Sequence, residues 1–145
     1  TGFDTGLPFS GSVYAKPASK IFIDPVAQYD HDEGNAIGGG YVYRGSNIPA
    51  LQGKYVIADI VTGRVFYFDA NKVMPGQLAS IKELRIRSDG KEQPLIDTIG
   101  YANTYAPGTK RADLRLGIDE SGELYLLSKG DGRVRKLVPA TGSGG

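Results

Sequence analysis

The sequence predicts an all-β fold, and three observations carry that expectation. Glycine is abundant at 21 of 145 residues, tyrosine stands at 9, and stretches with helical spacing are scarce. Together they favour many short strands joined by tight turns. Only KVMPGQLASIKEL, residues 72–84, is briefly helical in pattern, and Pro75-Gly76 interrupts it.

A repeat then orders the strands. GKYVIADIVTGRVFYFD, from Gly53 to Asp69, aligns without a gap on GELYLLSKGDGRVRKLV, from Gly122 to Val138, at a single offset of 69 residues. Gly63-Arg64-Val65 meets Gly132-Arg133-Val134. Each copy reads as strand, turn, strand. Tyr55, Ile57 and Asp59 share one face and Val56, Ala58 and Ile60 the other, so both faces are mostly apolar and need cover. Leu124 and Leu126 against Tyr125 and Leu127 repeat that pattern. With almost no helix available, other sheets must supply the cover, and the repeat favours successive β-propeller blades over a sandwich.

Two four-stranded antiparallel blades are expected. In the first, NAIGGGYVYRG is the inner strand, GKYVIADI and GRVFYFD follow, and KELRIRS forms a half-exposed, charged outer edge. In the second, ADLRLGIDE, GELYLLSKG and GRVRKLVP supply three strands, and KIFIDPV is a candidate for the fourth. Residues 1–34 are then an approach segment with a blade-completing strand, 35–90 one blade, 91–139 the last blade with a long loop, and 140–145 a flexible tail. Propellers have about 4 to 8 blades, so a longer parent chain or several copies must close the ring.

Charge and composition exclude several functions. Seventeen basic and sixteen acidic side chains leave a net charge of +1, so no field gathers phosphate backbones and nucleic acid is not expected as a partner. No apolar run reaches the roughly 20 residues of a membrane span, and no membrane partner is expected. The chain has no cysteine, which removes disulfides, thiolate nucleophiles and Cys-type zinc sites.

NAIGGGYVYRGSNIPALQGKYVIADIVTGRVFYFD resembles the penultimate blade of the soluble quinoprotein glucose/sorbosone dehydrogenases, and RADLRLGIDESGELYLLSKGDGRVRKL resembles their final blade. With DPVAQYDHDEG in front, the resemblance runs from about Asp24 to Leu137. It implies a six-bladed, extracellular or periplasmic propeller in which pyrroloquinoline quinone (PQQ) and calcium accept a hydride from a sugar. It also implies that the catalytic base and calcium ligands lie on earlier blades, so the fragment alone holds no cofactor and is inactive. Residue by residue, Tyr29, Arg111 and Arg115 match expected quinone contacts. A family tryptophan falls at Asp32 and a family lysine at Val61 or Thr62. Those losses favour the alternative of a non-catalytic propeller module that binds carbohydrate or protein.

The residues themselves suggest few chemical sites. Tyr29-Asp30-His31-Asp32-Glu33-Gly34 is the densest polar cluster and holds the only histidine. His31 is a candidate substrate contact or general base, against the plainer reading of a solvated loop. No metal site is expected, because neighbouring side chains in an extended loop diverge. Tyr41 and Tyr43, followed by Arg44, suit a sugar ring stacked on aromatics, although core packing explains the tyrosines as well. Gly38-Gly39-Gly40 reads as a crowded inner strand, and Arg64 and Arg133 as equivalent structural positions. ANKVMPG and SDGKEQ read as turns, and GYANTYAPGTKR as a loop able to rim a ligand face.

Overall fold

A computed structural model describes residues 25–32, 34–99 and 110–140. Within them the fold is all-β, with antiparallel sheets of four, two and three strands. The first sheet is a meander of β1 (Ile37–Val42), β2 (Lys54–Asp59), β3 (Val65–Asp69) and β4 (Lys82–Leu84). A small hairpin follows, β5 (Arg87–Ser88) with β6 (Lys91–Glu92), then one helical turn, α1 (Leu95–Ile99). The last sheet is the meander β7 (Leu114–Ile118), β8 (Leu124–Ser128) and β9 (Arg133–Lys136).

The repeat read from sequence is present in the backbone register. Ala58 lies opposite Val65 in one copy, and Leu127 lies opposite Val134 in the other, 69 residues later in both strands. Gly53 and Gly122 both open the central strand with a left-handed backbone, φ +72° and +80°, and Gly63 and Gly132 occupy the following turns at +72° and +68°. Side chains with a Cβ rarely adopt that conformation, so one backbone trace accounts for the glycines shared by both copies.

The two meanders pack face to face, with β1 and β2 of the first sheet against β7 of the last. Val56, Ala58 and Val65 from one side meet Leu114, Leu124 and Leu126 from the other in a single apolar core, closed at its edge by Leu95 and Ile99 of α1. Backbone bonds stitch the sheets together at one end. Leu114 N–H donates to the Ile60 carbonyl at 3.0 Å, and Ala112 N–H to that of Val61 at 2.8 Å.

The first sheet is covered on both faces, as its alternation requires. On its outer side Ile57 and Phe66 pack with Tyr29 from the segment before β1, and with Tyr55 and Ile81. The last sheet differs. Its outer face carries Leu127 at 37% and Val134 at 65% exposure, with no cover among the described residues.

One expectation needs correction. KELRIRS is not one edge strand, because it splits into β4 and β5. Asp89 and Gly90 both have positive φ (52° and 78°), and this tight Asp-Gly turn folds β5 back on β6. Residues 72–84, whose helical pattern Pro75-Gly76 interrupts, hold no helix: a 3₁₀ turn at Ala70–Lys72 is followed by irregular chain and β4. The helical turn stands instead at Leu95–Ile99, whose two buried side chains are four residues apart and so share one face. Most of KIFIDPV and of GYANTYAPGTKR and nearly all of the tail lie outside the described residues, as does Glu33.

Candidate functional site

Strand register divides the sequence-flagged residues between two ends of the stacked sheets. At the leading end β1 begins and β2 finishes, Ile37 opposite Asp59, and β7 begins opposite the end of β8, Leu114 against Ser128. At the far end Val42 lies opposite Tyr55 and Ile118 opposite Leu124. Tyr29, His31 and Arg111 belong to the leading end, and Arg115 stands one residue inside it. Tyr41, Tyr43 and Arg44 belong to the far end. A strand rising about 3.3 Å per residue puts the ends roughly 17 Å apart, too far for one sugar-sized ligand to touch both groups.

At the leading end the organising group is Asp59, which is fully buried. One carboxylate oxygen accepts from the Tyr29 hydroxyl (3.0 Å) and from the N–H groups of Asn35 and Ala36. The other accepts from the N–H groups of Val61 and Thr62 and from the Thr62 hydroxyl. Burial alone would raise the Asp59 carboxyl, but the donors from Thr62, Ala36 and Asn35 outweigh it and hold it at about 2, below the ordinary 3.8. Burial and the bond to Asp59 push the Tyr29 hydroxyl well above its usual range, so it stays protonated as a donor.

His31 sits exposed in a turn where Asp32 N–H donates to the Asp30 side chain. Arg111 donates from Nε to Asp113 at 3.1 Å, and Arg115 to the carbonyl of its neighbour Leu114. Tyr29 is only 8% exposed and its ring packs on Phe66 at 5.4 Å. Tyr29 is thus a core residue, and both arginines donate to protein acceptors. Among the described residues no three His, Cys, Asp or Glu side chains gather to hold a metal ion.

The far end repeats the same device between the two sheets. Tyr43 is fully buried and donates its hydroxyl to Glu123 at 2.6 Å, across 80 residues of sequence. Glu123 also accepts from the N–H groups of Ser46 and Asn47, so one carboxylate ties the β7–β8 turn to the β1–β2 loop. The bond from Tyr43 leads the causes that lower the Glu123 carboxyl, and burial opposes it. Tyr43 is thus a packing and anchoring residue rather than part of a sugar platform. Tyr41, at 37% exposure, and Arg44 remain at the surface.

Asp59 and Glu123, which hold both ends together, were not singled out from sequence. The Asp59 bonds to Val61 and Thr62 have a local signature in the Asp-x-x-Thr-Gly turn. Those of Glu123 have none, because every partner is at least 76 residues away.

An open feature lies elsewhere. A cleft of about 980 Å³ runs between the edge of β9, unpaired among the described residues, and β4 with the β5–β6 hairpin, lined by Leu51, Leu84, Ile86, Leu126 and Leu137 among others. No protein-family model matches the chain, and no solved structure matches it. Among the described residues no helix is long and apolar enough to cross a membrane.

Proposed function

We propose that this chain is a pair of stacked propeller-type blades serving as a non-catalytic contact module, in an extracellular or periplasmic setting. One observation carries the reading. The tyrosine hydroxyls best suited to chemistry, those of Tyr29 and Tyr43, are both donated to buried carboxylates that anchor loops. The last sheet meanwhile leaves an apolar outer face and a strand edge uncovered among the described residues. Such surfaces suit protein contact, whether further blades of a longer chain or a separate partner. Exposed Tyr41 with Arg44 supports a second reading, contact with a sugar or polysaccharide at the far end.

The competing proposal is a sugar dehydrogenase in which missing blades supply PQQ, calcium and the catalytic base. Incubation of a parent chain carrying the remaining blades with calcium and PQQ, followed by desalting, absorbance spectroscopy and a glucose-dependent dye-reduction assay, separates the two. Folded protein that carries no quinone band and reduces no dye is the expected result. Retained quinone absorbance, or sugar-dependent reduction, would overturn the contact-module reading in favour of the dehydrogenase. For the carbohydrate reading, retention on immobilised polysaccharide should fall on Tyr41→Ala, a change at a surface position.

A further inference from the structure

The two sheets repeat one another in register but not in width. In the first, β3 is followed by β4, with Leu84 opposite Val65 on the face that meets the last sheet. Alongside β9, in the corresponding place, no strand lies among the described residues. The cleft occupies that place. Its apolar floor of Leu84, Ile86, Leu126 and Leu137 is the surface that a fourth strand of the last sheet would cover.

The edge of β9 is oriented to receive one. Leu137 N–H donates to the Leu124 carbonyl. With Lys136 opposite Tyr125 and Val134 opposite Leu127, antiparallel alternation turns the N–H and C=O groups of Val134 and Lys136 away from β8, toward the open side. Two groups on one edge at that spacing are what an added antiparallel strand pairs with.

Charge selects the occupant. The edge strand reads Arg-Val-Arg-Lys, and Arg85 and Arg87 stand across the cleft. Arg85, Arg135 and Lys136 have acids of their own in Glu92, Asp131 and Asp119. Arg87 in the cleft lining and exposed Arg133 on the strand leave a basic excess, and Asp89 is the further acid that lines the cleft. A second copy paired antiparallel through those groups would set Arg135 opposite Arg135, or Arg133 opposite Arg135, a like-charge pair that disfavours self-association. We propose that the β9 edge and the adjoining cleft form a strand-addition site for an extended segment of a partner polypeptide in which acidic residues alternate with apolar ones. The apolar residues enter the cleft and the acidic ones face the basic edge. The proposal rests on the contact-module reading and names its partner class.

The test uses the full 145-residue chain and two labelled peptides of about seven residues, a strand-length span, one alternating glutamate with valine and one alternating lysine with valine. Fluorescence anisotropy should show the glutamate peptide bound about tenfold or more tightly than the lysine peptide. Val134→Pro removes an edge N–H without touching a bond to β8, and should weaken glutamate-peptide binding by about tenfold at an unchanged melting temperature. Arg133→Glu, at an exposed position, provides a second variant that does not depend on the proline fold, and should narrow or invert the preference. No binding, equal binding of both peptides, or an edge filled by self-association that Val134→Pro abolishes would each overturn the proposal. A chain that binds neither peptide, with no quinone held by a parent carrying the remaining blades, would sink this inference alone, whereas quinone binding by that parent would sink the contact-module reading.

Discussion

Replacing Asp59 with Asn is expected to destabilise the fold by about 3–5 kcal/mol, the largest effect of any isosteric change at a polar residue here. The reason is the count of donors. Six hydrogen bonds converge on the two carboxylate oxygens, from Tyr29, Asn35, Ala36, Val61 and twice from Thr62. An amide turns one oxygen into an N–H₂ group that faces donors, so whichever way it flips, backbone N–H groups lose their acceptor inside the protein. Each such loss costs about 1–3 kcal/mol. Urea unfolding at neutral pH measures the effect.

The same residue carries a pH signature with a defined sign. Its folded carboxyl sits at about 2 against 3.8 for the unconstrained group. The folded state therefore favours the ionised form, and its contribution is full above the unfolded value and lost as pH falls from about 4 toward 2. Asp69, Glu83, Asp119, Glu123 and Asp131 are also lowered and share that acid limb. The Asp59 share is read by difference: the gap between wild type and Asp59→Asn should shrink across that window. A gap that stayed constant would show that its bonds do not favour the carboxylate.

The second large effect is expected at Gly40, with its neighbour as a control. A Cβ on Gly40 would overlap the Val56 carbonyl oxygen and lie 2.9 Å from Ile57 Cγ2, at the register shift between β1 and β2. The obstructing atom is backbone, so no rotamer change relieves it, and Gly40→Ala should cost about 2–3 kcal/mol. A Cβ on Gly39 meets nothing within 4 Å. Gly39→Ala should stay within about 0.5 kcal/mol of wild type. Thermal or urea unfolding of the pair decides it. Equal stabilities would mean that β1 does not approach β2 in this register.

These residues mark how far the sequence could be read. The strands around the repeat were legible because a hairpin transmits its register through local spacing, so Gly53 to Asp69 and Gly122 to Val138 keep the same cross-strand pairs. The steric reading of the triple glycine holds at Gly40 but not at Gly39, since alternation says which face a residue takes and not what stands there. Residues 82–88 read as one strand although the chain breaks after Leu84, because the Asp89-Gly90 turn was visible while the two-residue strand before it was not. A five-residue helix is too short to display a period, so α1 left no trace.

Site residues were harder to read for a related reason. Tyr29 and Tyr43 resemble ligand contacts in sequence, and only the fold brings Asp59 and Glu123, 30 and 80 residues away, beneath their hydroxyls. An acid within an apolar strand looks like an ordinary edge position until its distant donors are known. The narrower last sheet is legible in sequence, which supplies only three consecutive strands to the second copy, but the cleft beside it is not, since its lining comes from distant segments brought together by the fold.

The stacking of one repeated sheet on the other rests most directly on the backbone bonds beside β7. Scalar couplings across hydrogen bonds, measured by NMR on isotope-labelled protein, should connect the Leu114 nitrogen to the Ile60 carbonyl carbon and the Ala112 nitrogen to that of Val61. Both correlations, with slow amide exchange at Leu114, are the expected result. Their absence in folded protein, with Leu114 exchanging as fast as open chain, would contradict the stacked arrangement and everything built upon it.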